Sequence, residues 1–311
     1  MTFIRDNGPW LSLGDQAYWG GGTISNTPDP TDVISRVTIS TTANSTAFGT
    51  LTAARGYVTA AANDTRTVWA GGTANFANGL ATMDYQDPAA GNTVAVFGNL
   101  VTYQYSMSAA ANGTHALWFD GLGGGDYDVE ISAFASKGNA GKFADLSGAL
   151  GNNHASAGNE THALCGGDQE DAVSDEIRVV LFAVSDAAQR LFGDLSVGRE
   201  RLAAASTATR CFWAGGRNNS AANVNTIDQV VIATEATATD VGDLTRTHRG
   251  VDATSNATRA VVGGGYTGSA YVDTIDYFAV SGSTNDAVDF GDLTQVQGYT
   301  GAASNCHGGL Q

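Results

Sequence analysis

The sequence predicts an all-β fold, a closed β-propeller of six four-stranded antiparallel blades. Three observations lead there: a tetrapeptide that recurs six times, two further markers in phase with it, and a composition made for turns. Of 311 residues, 40 are Gly and only 4 are Pro, with Thr and Ala recurring throughout. Such a mixture suits many short strands joined by tight turns.

The tetrapeptide reads Phe48-Gly-Thr-Leu51, Phe97-Gly-Asn-Leu100, Phe143-Ala-Asp-Leu146, Phe192-Gly-Asp-Leu195, Val241-Gly-Asp-Leu244 and Phe290-Gly-Asp-Leu293, at steps of 49, 46, 49, 49 and 49 residues. In phase with it runs an apolar segment closed by glycines: Arg66-Thr-Val-Trp-Ala-Gly-Gly, His115-Ala-Leu-Trp, His162-Ala-Leu-Cys-Gly-Gly, Arg210-Cys-Phe-Trp-Ala-Gly-Gly and Arg259-Ala-Val-Val-Gly-Gly-Gly. The first copy, Gln16-Ala-Tyr-Trp-Gly-Gly-Gly, is degenerate. A third marker, Thr-Ile-Asp or similar, falls at Ile34, Met83, Val129, Ile177, Ile227 and Ile275. A fixed period of about 49 residues holding four strand candidates is the signature of a propeller blade.

In the sixth unit the strands are expected at 250–255, 258–263, 274–281 and 288–293. The second is a near-continuous apolar run, as a strand buried on both faces requires. Trp19, Trp69, Trp118 and Trp213 share one position in it, with Cys165 and Val262 in the other two units. Packing between blades explains these tryptophans better than a stacked-ligand site does. The double glycine after this strand marks a turn that needs positive φ. Repeats are placed at about 16–65, 66–114, 115–161, 162–209, 210–258 and 259–311, with residues 1–15 as an N-terminal arm. Ala302-Ala-Ser-Asn305 matches Ala253-Thr-Ser-Asn256, the first strand of a unit, while the N-terminus joins the pattern only at Ala17. The ring is therefore expected to be closed by the C-terminal strand, which removes an exposed edge.

Arg249, Gly264-Gly265, Asp276-Tyr277 and Phe290-x-x-Leu293 stand in one unit in the order seen in kelch repeats. The chain resembles a six-bladed kelch-like propeller, with Phe where kelch proteins usually carry Trp. Its Phe-Gly-Asp-Leu and Thr-Ile-Asp-Tyr variant resembles repeat proteins among the structural genes of tailed viruses of marine bacteria and haloarchaea. That resemblance implies a virion structural protein.

The repeats also align with one another. Units with Arg66, Arg210 or Arg259 carry Asp84, Asp228 or Asp276, while His115 goes with Glu130 and Gln16 with Ser35. Only the fourth unit breaks the pattern, with His162 and Arg178. A salt bridge between the second and third strands within a blade is the expectation.

Net charge is −16, from 31 acidic and 15 basic residues. Such a surface repels phosphate backbones, so no nucleic acid is expected as partner. Asp outnumbers Glu, and Lys occurs only at Lys137 and Lys142. A halophilic protein kept soluble in brine and an acidic protein from a GC-rich genome both fit that pattern. No apolar stretch reaches membrane-spanning length, so no membrane insertion is expected. The opening Met1-Thr-Phe-Ile-Arg has neither the basic region nor the apolar core of a secretory signal. Cys165, Cys211 and Cys306 read as small buried apolar residues.

Enzyme signatures are absent: there is no P-loop, HExxH or GxSxG, and no catalytic residues are assigned. His162 and Cys165 have metal-ligand chemistry but fill positions taken elsewhere by Arg and Trp. Two acidic loops, Asp120-Gly-Leu-Gly-Gly-Gly-Asp126-Tyr-Asp128 and Asp168-Gln-Glu170-Asp171, are weak Ca²⁺ candidates through Asp120, Asp126, Asp128, Asp168 and Asp171. Solvated loops explain them more simply, and no cofactor is otherwise implied. Asn63, Asn112, Asn159 and Asn256 head Asn-x-Thr triplets at one repeat position, where Asn in a tight turn accounts for them. Loops between second and third strands vary most, and variation on a rigid scaffold is where recognition resides or where unconstrained turns drift. Phe76, Asn78, Asp126, Tyr127, Arg217, Asn219, Tyr266 and Tyr271 are the candidate binding residues there.

The function expected is therefore non-enzymatic: a virion protein of a tail fibre, spike or capsid appendage. It would contact other virion proteins, or a host cell-surface glycan or protein. A secreted or surface-displayed lectin-like adhesin is the alternative.

Overall fold

The computed structural model describes residues 15–306 except 26, 28, 88–89, 124–127, 146–150, 170–171, 185–188 and 283. The N-terminal arm thus lies, apart from Asp15, outside the described residues, as do Asp126, Tyr127 and Asp171.

Six four-stranded antiparallel sheets make the blades of a propeller. The sixth blade runs Asp252–Ser255, Arg259–Gly263, Thr274–Ala279, Val288–Asp292 from axis to rim, close to the bounds its sequence predicts. In the first blade the innermost strand is Gly301–Ser304, paired with Gln16–Gly20, so the C-terminal strand closes the ring. The other inner strands are Thr59–Ala62, Ser108–Ala111, Ala155–Gly158 and Ala203–Ser206. Among the described residues no helix is long and apolar enough to cross a membrane.

The hydrophobic core lies between blades, and small residues shape it. Gly20, Gly166 and Gly263 each follow the Trp position of one blade and face a Trp of the next. A Cβ added there would lie 2.5 Å from Trp69, 2.7 Å from Trp213 and 2.9 Å from Trp19 respectively. The three indoles donate to inner-strand carbonyls of the preceding blade: Trp69 to Gly301 at 3.0 Å, Trp213 to Ala155 at 3.0 Å, Trp19 to Asp252 at 3.2 Å. Where the facing residue is Ala70, Trp118 turns to donate to Ser132 Oγ at 2.9 Å instead. Phe119 faces the smaller Cys165, and Ala214 packs with Val262. Residue sizes at the two positions are thus complementary around the ring, which close-packed interiors demand. All three cysteines are buried and free, as expected.

The paired glycines that follow have positive φ, as Gly71 (64°), Gly72 (95°), Gly264 (71°) and Gly265 (106°) illustrate. The Asn-x-Thr turns are structural too. Asn112 Oδ1 accepts from the N–H groups of Thr114 and His115, while its Nδ2 donates to Glu160 of the next blade.

The salt bridge expected between Arg and Asp within a blade is not formed. Asp84, Asp228 and Asp276 lie opposite Trp69, Trp213 and Val262, three residues along from Arg66, Arg210 and Arg259. An odd offset puts the partners on opposite faces of the sheet, and three residues separate them by about 10 Å along the strand. The carboxylates turn instead to the linker from the preceding blade. Asp84 pairs with Arg55 at 3.1 Å and Asp228 with Arg199 at 2.6 Å, both pairs fully buried. Asp276 accepts from Thr245 at 2.8 Å, and Glu130 from Gln104 at 3.0 Å. Arg66 and Arg259 lie over the rings of Tyr85 and Tyr277, and Arg210 donates to the Val280 carbonyl.

Candidate functional site

All six blades meet at one place, where each linker enters its inner strand. The residue two positions before that strand is Tyr57, Ser106, Asn153, Arg201, Gly250 or Tyr299, and φ lies between 54° and 63° at every one. Five of the six are not glycine, so the left-handed conformation costs about 1 kcal/mol or more at each. A chain of backbone bonds fixes it. Ser106 N–H donates to Tyr57 O, Asn153 to Ser106, Arg201 to Asn153, Gly250 to Arg201 and Tyr299 to Gly250, over 2.7–3.3 Å. At the remaining junction the rings of Tyr57 and Tyr299 stack, centroids 4.2 Å apart and 16° from parallel.

This ring is the mouth of the axial channel, whose wall includes Tyr57, Asn153, His154, Arg201, Asp252 and Tyr299. The variable loops reach the same place. Phe76, itself at φ 57°, packs edge-on against Tyr57 at 5.5 Å, and Tyr105 does so at 6.0 Å. Tyr271 lies 6.4 Å from Tyr299 and 5.1 Å from Tyr266. Arg249 lies over Tyr266 at 4.9 Å and Arg201 over Tyr299 at 5.9 Å. Buried Glu200 joins Arg201, at 3.5 Å, to Arg217. Burial first, and the adjacent Tyr299 second, push the Tyr57 phenol well above its ordinary range, so its hydroxyl stays protonated.

Four expected binding residues, Phe76, Arg217, Tyr266 and Tyr271, therefore converge. The other two described candidates lie in their loops: Asn78 N–H donates to Asn75 Oδ1, and Asn219 Oδ1 accepts from Val173 N–H of the preceding blade. The sequence reading missed Tyr57, Tyr105, Asn153, His154, Arg201, Asp252 and Tyr299. Most of them stand in or beside the linker position before each inner strand, where the residue type changes in nearly every unit and no motif marks it.

Of the Ca²⁺ candidates, Asp126 and Asp171 lie outside the described residues, and the other three have protein partners. Asp128 is paired with Lys142 at 2.9 Å, Asp120 Oδ1 accepts from Gly121 N–H, and Asp168 Oδ2 accepts from Gly151 N–H. Among the described residues no group of three or more His, Cys, Asp or Glu side chains is placed to hold a metal ion.

Deeper in the channel, His154 accepts at Nδ1 from Ser108 Oγ (2.7 Å) and donates from Nε2 to the Asp120 carbonyl (2.7 Å). The carbonyl can only accept, so it fixes this tautomer. Burial lowers the imidazole to about 4, leaving it neutral at pH 7. Asp252 is held by two amides, its Oδ1 accepting from Ala253 N–H at 2.9 Å and its Oδ2 from Ala302 N–H at 2.6 Å. Burial outweighs those bonds and pushes the carboxyl up to about 7.

No family model matches the chain, and no curated protein matches it. Among solved structures it is similar to that of YjhT, with a TM-score of 0.69 at 12% identity, over 87% of this chain and 97% of that one. At that identity the likeness shows the propeller fold alone.

Proposed function

We propose that this propeller is a non-enzymatic recognition module that takes its ligand at the aromatic mouth, and that it serves as a virion structural protein of a tailed virus. In a tail fibre, spike or capsid appendage it would contact other virion proteins and a host-surface glycan or protein. The observation that carries the recognition reading is the stacked Tyr57–Tyr299 pair with Arg201 beside it, set where six blades converge. A flat aromatic face offers a sugar ring or side chain a large apolar contact, and neighbouring Arg and phenol donors fix its orientation.

The virion assignment rests on the resemblance of the Phe-Gly-Asp-Leu and Thr-Ile-Asp repeats to tailed-virus structural proteins. What supports calling them kelch-like is the order of glycine pair, acidic strand and aromatic-x-x-Leu in the sixth unit, Gly264-Gly265, Asp276-Tyr277 and Phe290-x-x-Leu293. The acidic, Lys-poor surface is in keeping with a particle exposed to high salt. Mass spectrometry of purified particles, together with cell binding by the purified chain, tests the proposal. Presence in particles and saturable binding to cells support it; absence of both overturns it. Cell binding without particle association favours the secreted adhesin instead.

A further inference from the structure

Each inner strand turns a row of its backbone groups towards the axis. At the far end of the hairpins the N–H groups of Asn63, Asn112, Asn159, Thr207 and Asn256 bond to the carbonyls of Arg66, His115, His162, Arg210 and Arg259. Antiparallel pairs alternate between bonded and non-bonded residues. Three residues back, at Ala60, Ala109, Ser156, Ala204 and Ala253, the N–H therefore points away from the hairpin partner. Ala302 is the equivalent residue of the first blade, opposite Trp19 as Ala60 is opposite Trp69. All six line one axial cavity. In two blades the destination of these N–H groups is visible, because Ala253 and Ala302 both donate to the carboxylate of Asp252.

Asp252 thus acts as a tethered carboxylate, and it reports what this ring of amides is shaped to hold. We propose that the channel is a seat for a small carboxylate ligand, bound by the axial N–H groups of Ala60, Ala109, Ser156 and Ala204 beside the two that Asp252 occupies. Converging amide donors at a sheet edge form an anion-binding concavity, and bonds to a carboxylate are stronger than neutral ones. The alanine methyls keep the wall narrow and leave no competing side-chain acceptor at three of these four positions. Arg201 at the mouth favours entry of an anion into a protein whose net charge is −16. Neutral His154 contributes no charge to the seat. The seat stands independently of what the mouth recognises.

Acetate is the probe, with chloride at matched ionic strength as the control, on the full chain at pH 8. In the wild type, the acetate methyl NMR signal is expected to broaden and then saturate with a millimolar midpoint. Asp252→Ala, having lost the tethered carboxylate, is expected to be stabilised saturably by acetate and to bind acetate at least three-fold more tightly. Acetate acting no differently from chloride on both proteins overturns the seat. Should Asp252→Ala not fold, the wild-type titration decides alone: saturable broadening upholds the proposal, and its absence overturns it.

Discussion

Trp19 of the first blade sits over Gly263 of the sixth so closely that a methyl group there would lie 2.9 Å from the indole. The same indole donates to the Asp252 carbonyl at 3.2 Å. These contacts lock the sixth blade against the first, the blade that the C-terminal strand completes, and they recur at Gly20–Trp69 and Gly166–Trp213.

Gly263→Ala is expected to destabilise the fold by about 1–3 kcal/mol, the range for overpacking a filled core. Trp19→Phe in the same chain should recover part of that loss by making room. Urea midpoints of the single and double variants check it. Additive losses in the double variant would mean that the glycine and the indole do not share one space.

Arg199→Ala should cost about 3–5 kcal/mol, because it leaves Asp228 charged and unpaired in a fully buried site. Arg210→Ala removes one bond to the Val280 carbonyl and should cost about 1 kcal/mol or less. Chemical denaturation of the two variants side by side checks the ranking, which would be reversed if Arg210 were the partner of Asp228.

Asp252 makes stability depend on pH. Its carboxyl titrates near 7 in the fold against about 4 in the unfolded chain, so the native state holds the proton more tightly. The stability this contributes is fully present below about pH 4 and is lost as pH rises to about 7, amounting to roughly 4 kcal/mol. Asp252→Asn, which cannot ionise, should lack this component. Subtracting the two stability curves between pH 4 and 8 isolates it, and a flat difference would contradict the assignment.

The ring, the four strands per blade and the closing strand were legible because each repeats with a fixed period. The coupling between Arg and Asp positions was also real in the sequence, but its partner was misread. Asp84 and Asp228 go with Arg55 and Arg199 in the preceding linkers, contacts made between blades that strand pairing within a unit does not reveal. Tyr57, Ser106, Asn153, Arg201, Gly250 and Tyr299 share a backbone conformation and no chemistry, so no motif marks them. Phe76, Tyr266 and Tyr271 were found as aromatics in variable loops, yet only the fold brings loops from different blades to one mouth.

Binding to a glycan array by the wild-type chain and by Tyr57→Ala/Tyr299→Ala tests recognition at the mouth most directly. The expected result is saturable wild-type binding that falls at least ten-fold in the double variant, with the melting transition retained. Undiminished binding by a folded double variant would contradict it and would move recognition away from the axis.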